Sequence, residues 1–156
     1  MKTQNLLILF ILIANCAIAQ YYTEVEDVDK LKKYETYLMN KPPQQYEKIE
    51  VVGVAPVSKS IKMISYSSED GKHQALVNAA REDLFLIANY SIIAENEVPQ
   101  VVLDKIETEY TNREPVNYFA VAEPSASNYF AVDLMKDKEI KRAHFDELGR
   151  KKQNPY

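Results

Sequence analysis

The stretch Val98–Gly149, VPQVVLDKIETEYTNREPVNYFAVAEPSASNYFAVDLMKDKEIKRAHFDELG, reads as one amphipathic helix followed by three alternating strands, and it decides the fold. At about 100° per residue, Val98, Val102, Leu103, Ile106 and Tyr110 gather on one side of the helix, and Gln100, Asp104, Glu107 and Thr108 on the other. That is the pattern of a surface helix laid on a core. Pro99 suits a first helical turn, where its missing N–H has no partner to lose, and Asn96 is the expected N-cap. Pro115 disfavours helical backbone at Glu114, so the helix is expected to end near Asn112.

The strands set a register. With Ser125-Ala126-Ser127 as a hairpin loop and Pro124 facing Asn128, Tyr118, Ala120 and Ala122 share a face with Phe130, Val132 and Leu134. Small residues beside large ones would let the helix sit close. A four-residue loop from Lys136 to Glu139 then puts Ala143 and Phe145 on that face and Arg142 opposite Asp133; a one-residue slip would turn the pattern over. The other face carries Phe119, Val121, Tyr129, Ala131, Met135, Ile140 and His144, rimmed by Glu123, Asp133, Arg142 and Asp146. A solvent-facing sheet alternates to polar residues, so this face is either a contact surface for a partner or is covered by the first half of the chain.

The chain opens with Lys2, an apolar run from Leu6 to Ala14, and Ala17-Ile18-Ala19 before Gln20. This has the form of a secretory signal over residues 1–19, too short to span a bilayer as a helix and ending in an A-x-A cleavage site. Cys16, the one cysteine, lies inside it. Ile13-Ala14-Asn15-Cys16 loosely resembles a lipoprotein box, so lipid anchoring at Cys16 is the minor alternative to a periplasmic or secreted protein. After cleavage no thiol remains for disulfides, thiolate metal sites or a cysteine nucleophile. The remaining 137 residues (156 − 19) carry a formal charge of −5, one less than the whole chain's −4 because Lys2 is gone. That balance argues against nucleic acid as a partner.

In the first half, Lys30 to Met39 is helical in pattern, with Leu31, Tyr34 and Leu38 in line and Pro42-Pro43 as its stop. Ile49 to Ala55 and Ile61 to Tyr66 read as strands, and Ser67 to Gly71 as a turn. Gln74 to Ile93 admits a helix by composition. Alternation of Leu84, Leu86, Ala88, Tyr90 and Ile92 favours two strands joined around Arg81-Glu82-Asp83. Shifting by 68 residues lays Lys30 on Val98, Pro56 on Pro124 and Ile61 on Tyr129, the signature of a degenerate tandem repeat. The expected organisation is a signal at 1–19, a divergent helix-sheet repeat at 20–95 and a second one at 96–156, an α+β fold of tandem helix-plus-antiparallel-sheet units.

Val98-Pro99-Gln100-Val101-Val102, Tyr110, the hairpin Tyr118 to Leu134 and Phe145-Asp146-Glu147-Leu148-Gly149 together resemble the PepSY-like proteins of the cell envelope, which look like the beta-lactamase inhibitor protein in fold. The resemblance covers Val98 to Lys152 and, faintly, Ile61 to Ile93. It implies an exported tandem of helix-sheet units that binds or inhibits other proteins, as a protease inhibitor does, without enzymatic activity or cofactor. It supplies no site residues.

Chemistry-bearing motifs are sparse. Of the two histidines, His73 and His144, the second shares a strand side with Asp146, acid–base or metal-ligand geometry in outline, but no second nearby ligand completes a site. No serine sits in a G-x-S-x-G or S-x-x-K motif, and Gly53, Gly71 and Gly149 are too scattered to cradle a phosphate. Eleven tyrosines suit either a recognition surface or a half-buried sheet. The expected function is a non-enzymatic protein-binding module, with the contact face Phe119, Val121, Tyr129, Asp133, Met135, Ile140, Arg142 and His144. Its alternatives are a hydrolase using His144 and Asp146, or an envelope scaffold or small-ligand carrier with an apolar cavity. Mass analysis of exported protein should find Gln20 at the new N-terminus; a lipidated Cys16 there would refute the unanchored reading.

Overall fold

A computed structural model describes residues 28–40, 46–80 and 83–155. The expected signal with Cys16, the Pro42-Pro43 stop and Arg81-Glu82 lie outside the described residues. A helix α1 (Val28–Met39) is followed by strands β1 (Ile49–Pro56), β2 (Ile61–Ser68), β3 (Gly71–Asn78) and β4 (Phe85–Ile93). A 3₁₀ turn (Glu95–Glu97) and a helix α2 (Gln100–Glu109) lead into β5 (Glu114–Ala122), β6 (Tyr129–Lys136), β7 (Glu139–Phe145) and β8 (Lys151–Lys152). All eight strands form one antiparallel sheet in chain order, and β4 pairs with β5 across the boundary expected at residues 95 and 96. The molecule is thus α+β and mostly sheet.

Both helices lie on one face. Tyr34 and Leu38 of α1 pack with Ile64, Tyr66, Ala75 and Val77. The cross-strand pairs Ile64–Ala75, Ala75–Asn89 and Asn89–Ala122 carry that face across to Ala120, opposite Phe130, which in turn is opposite Phe145. There Val102 and Ile106 of α2 cover Val132, Leu134, Ala143 and Phe145. The entry to α2 differs from expectation: Pro99 is the N-cap and Asn96 sits within the 3₁₀ turn. Glu97 there accepts a hydrogen bond from the Ala94 N–H at 2.7 Å, a carboxylate satisfying the donor that a cap would otherwise serve.

The opposite face gathers Leu76, Ala88, Tyr90, Phe119, Val121, Tyr129 and Ala131 into a second core drawn from β3 to β6. It is the inside of a curve. In a flat sheet β3 and β7 would stand about 19 Å apart, four spacings of roughly 4.8 Å. Yet Arg142 on β7 donates a hydrogen bond to Gln74 on β3 at 2.8 Å.

The β6–β7 register is the expected one, with Asp133 opposite Arg142 and Lys136 opposite Glu139. The turn residues Asp137 and Lys138 both adopt positive φ, 50° and 69°, the backbone of a two-residue hairpin that follows the strand twist. The β5–β6 pairing is displaced by two residues: Tyr118 meets Val132 and Ala120 meets Phe130, and the pairing ends at Val121 opposite Tyr129. A two-residue shift keeps every side chain on its face, and the expected faces stand. The segment after Gln74 forms strands, but its alternation breaks between Leu86 and Ala88, where the register with Val77 and Leu76 shifts. Ile87 is the extra residue, which turns Leu86 toward α1 while Ala88 and Tyr90 face the concave core. Ala120 and Ala122 do not lie under α2 as expected; they remain half-exposed.

Phe119 is 1 % exposed, so Phe119→Ala should lower unfolding free energy by about 3–5 kcal/mol. Val52→Ala, at an exposed bulge position, should stay within about 0.5 kcal/mol of the parent. Urea titrations of the two variants make the comparison.

Candidate functional site

The expected contact face is an interior. Phe119, Val121 and Tyr129 are buried with Asp133 and His144, and Arg142 is nearly so. Met135 and Ile140, cross-strand partners beside the Lys136–Glu139 turn, remain half-exposed at its rim. Arg142 explains how charge is tolerated there. Its Nε and Nη2 donate to the two carboxylate oxygens of Asp133 at 2.7 and 2.8 Å, and Nη2 reaches Gln74 Oε1. The guanidinium carbon Cζ lies over the Phe119 ring, 4.2 Å from its centroid, and over that of Tyr90 at 4.9 Å. A bidentate pair with stacked aromatic partners is the environment in which a buried guanidinium is held rather than stranded.

His144, a member of the expected contact face, is 3 % exposed. Its Nε2 lies 3.4 Å from the Tyr90 hydroxyl, and its ring meets Tyr129 edge-on. Burial, then the positive charges of Arg142 and Lys152, push its pKa down to about 4 against the opposing pull of Asp133. Asp146 is not its partner. That carboxylate lies beyond the strand and accepts from the Leu148 and Arg150 N–H groups at 3.0 and 2.9 Å and from Arg150 Nε at 2.6 Å. These bonds, led by the Arg150 N–H, hold its pKa below the usual carboxylate range. Asp146 closes a turn, and the acid–base pair expected from the strand alternation is not assembled.

Tyr129 donates its hydroxyl to Glu123 at 2.7 Å while Lys152 lies over its ring. Burial, with Glu123 beside it, raises the phenol well above its ordinary value. With Tyr34, Tyr66 and Tyr90 also in the cores, much of the tyrosine content is structural.

The helix face holds a constellation that no sequence motif announced. His73 on β3 is buried, stacked 5.0 Å from Tyr66, and touches three polar side chains. Nε2 lies 2.9 Å from both Asp70 Oδ1 and Ser68 Oγ, and Nδ1 lies 3.0 Å from Ser91 Oγ on β4. The Ser68 hydroxyl also bonds to Asp70. Burial acts upward on the Asp70 carboxyl, but bonds from Ser68 and His73 outweigh it and leave the pKa below its usual value. The residues come from a turn and three strands, Ser68 on β2, His73 on β3 and Ser91 on β4, with 21 positions from Asp70 to Ser91. Only the register His73–Ser91 brings them together, so the sole sequence signal was a histidine and a serine on strands that pair.

Among the described residues, no helix is long and apolar enough to cross a membrane, and no group of three or more His, Cys, Asp and Glu side chains is gathered as a metal site.

The His144 geometry generates a pH dependence. Between about pH 4 and its ordinary 6.5, the unfolded chain binds a proton at this ring that the folded one does not. Stability therefore falls as pH drops through that window, by on the order of 3 kcal/mol at most. His144→Gln should remove this component, seen as a flatter urea midpoint from pH 7 to 4 than in the parent, whatever its absolute stability. Set against models of known protein families and against curated proteins, the chain matches none.

Proposed function

We propose that this chain is an exported, non-enzymatic binding module, a PepSY-like protein of the beta-lactamase-inhibitor-protein kind, built of two tandem helix-plus-sheet units and acting on another protein of the cell envelope. The observation that carries this reading is the element order. A helix and four strands are followed by a second helix and four strands, in one sheet with both helices on the same face. That order agrees with the fold the resemblance of Val98–Lys152 implies. The separate partners of His144 and Asp146 favour it over hydrolysis at that pair.

The accessible part of the contact face is its rim. Met135 and Ile140 stand opposite each other, half-exposed, with exposed Lys136, Lys138 and Glu139 around them. An apolar pair inside a charged ring is the usual anatomy of a contact centre. Purified protein of residues 20–156 should capture a stoichiometric partner from envelope extract. Met135→Glu and Ile140→Glu should weaken that capture by tenfold or more, with melting temperatures within a few degrees of the parent. Failure to capture any partner, or capture indifferent to both substitutions, would count against the module and its rim respectively.

A further inference from the structure

The geometry points to Ser91 as an acylatable nucleophile, with His73 as its general base and Asp70 orienting the imidazole, and to a small carboxylic ester as the class of substrate. The site is on the helix face, opposite the rim proposed for protein contact; its activity would replace the non-enzymatic part of that reading and leave the rim's role in capture unchanged.

The hydrogen-bond roles are fixed by elimination. An ionised Asp70 accepts only, so His73 Nε2, 2.9 Å from it, carries the proton. Ser68 gives its own hydroxyl proton to Asp70, so its oxygen is an acceptor toward the same Nε2–H. Nδ1 is then the unprotonated nitrogen, and Ser91, 3.0 Å away, donates to it. A hydroxyl donating to a base that a third group orients is the arrangement that activates a serine. Ring stacking on Tyr66, with Tyr46 tilted against the imidazole at 5.4 Å between centroids, restricts its rotation.

Access supports the assignment. His73 is buried, but Ser91 is half-exposed. Its cross-strand neighbour on the other side is Ala120, and Ile93 and Tyr118 adjoin on the same face, all half-exposed. This is the strip between the parts of the sheet that α1 and α2 cover. Only a methyl flanks the hydroxyl on that side, and Ile93 and Tyr118 offer half-exposed apolar surface to a short acyl group.

In the reaction, Ser91 Oγ bonds to the ester carbonyl carbon as its proton passes to His73 Nδ1. The bond from that carbon to the alcohol oxygen then breaks, and the alcohol leaves with the proton from Nδ1. The imidazolium formed in between faces the Asp70 carboxylate through Nε2–H. Water, deprotonated by the same Nδ1, releases the carboxylic acid and restores Ser91.

Diisopropyl fluorophosphate and p-nitrophenyl acetate are the probes. The purified protein should take up one phosphoryl group, located on Ser91 by peptide mass analysis, and should hydrolyse the acetate. Ser91→Ala should do neither. His73→Gln should react at least about 100-fold more slowly, the size of a general-base contribution, and Asp70→Asn about tenfold more slowly. A purely structural network would change melting temperatures without any adduct. Absence of an adduct on Ser91 in the folded parent would overturn the proposal, as would a His73→Gln protein that labels at the parental rate. Should His73→Gln melt far below the parent, Asp70→Asn decides, since its side chain is half-exposed; parental labelling in that variant would also overturn it.

Discussion

The pair Arg142–Asp133 is the constraint on which the concave side of the sheet depends. It places a bidentate ion pair among Tyr90 and Phe119 and extends it to Gln74, so one side chain spans strands β3 to β7. Taking both charges out of water is costly, and such a pair is weak evidence for net stability. Its effect is on uniqueness. Asp133 and Arg142 face each other in the β6–β7 pairing, and any register that separated them would leave a charge buried alone. The curvature follows, because Gln74 and Arg142 meet only if the sheet bends toward that face.

Where local chemistry and the apolar pattern agreed, the sequence could be read to the residue. The β6–β7 hairpin is such a case, since a two-residue turn and an opposed charge pair both demand one register. The β5–β6 loop had no such charge pair, and its pairing was misplaced by two positions without harm to the faces. Ile87 marks a sharper limit. A bulge adds one residue without changing composition, so alternation from Leu84 to Ile92 could not reveal that the strand changes face midway. The contact face was legible as apolar, and cover by the first half of the chain was one of its two expected readings; Leu76, Ala88 and Tyr90 supply that cover, and only the curvature of the whole sheet decides it. The cluster at His73 depends on strand pairing between residues with no motif spacing, and was invisible for that reason.

The two edges of the sheet are handled differently. At β1 the register shifts between Val51 and Gly53, and Glu35 of α1 accepts from the Val51 N–H at 3.2 Å, so bulge and helix together blunt the strand. At the far end β8 is two residues long, and Lys151 reaches back to Glu109 on α2 at 2.6 Å and over Tyr110 at 5.1 Å. Gly149, at φ +73° with a Cβ position 2.9 Å from the Val101 carbonyl oxygen, lets the chain pass tightly against α2 before that strand. Short, bulged or charged edges oppose edge-to-edge aggregation.

Strand order equal to chain order also bears on how the protein folds. Every strand pairs with its immediate successor, and six of those seven pairings close over a turn or short loop, while β4 and β5 must wait for α2 to be made. Loop-closure entropy is therefore small for a sheet of this size, and folding should be fast for a largely β protein. The bond from Arg142 to Gln74 is the exception, spanning 68 residues of sequence, and it can form only once β7 has emerged. A nascent chain that has reached β4 but not β5 presents an unpaired edge and half of a concave core. That interval, rather than the finished molecule, is where aggregation is most to be expected.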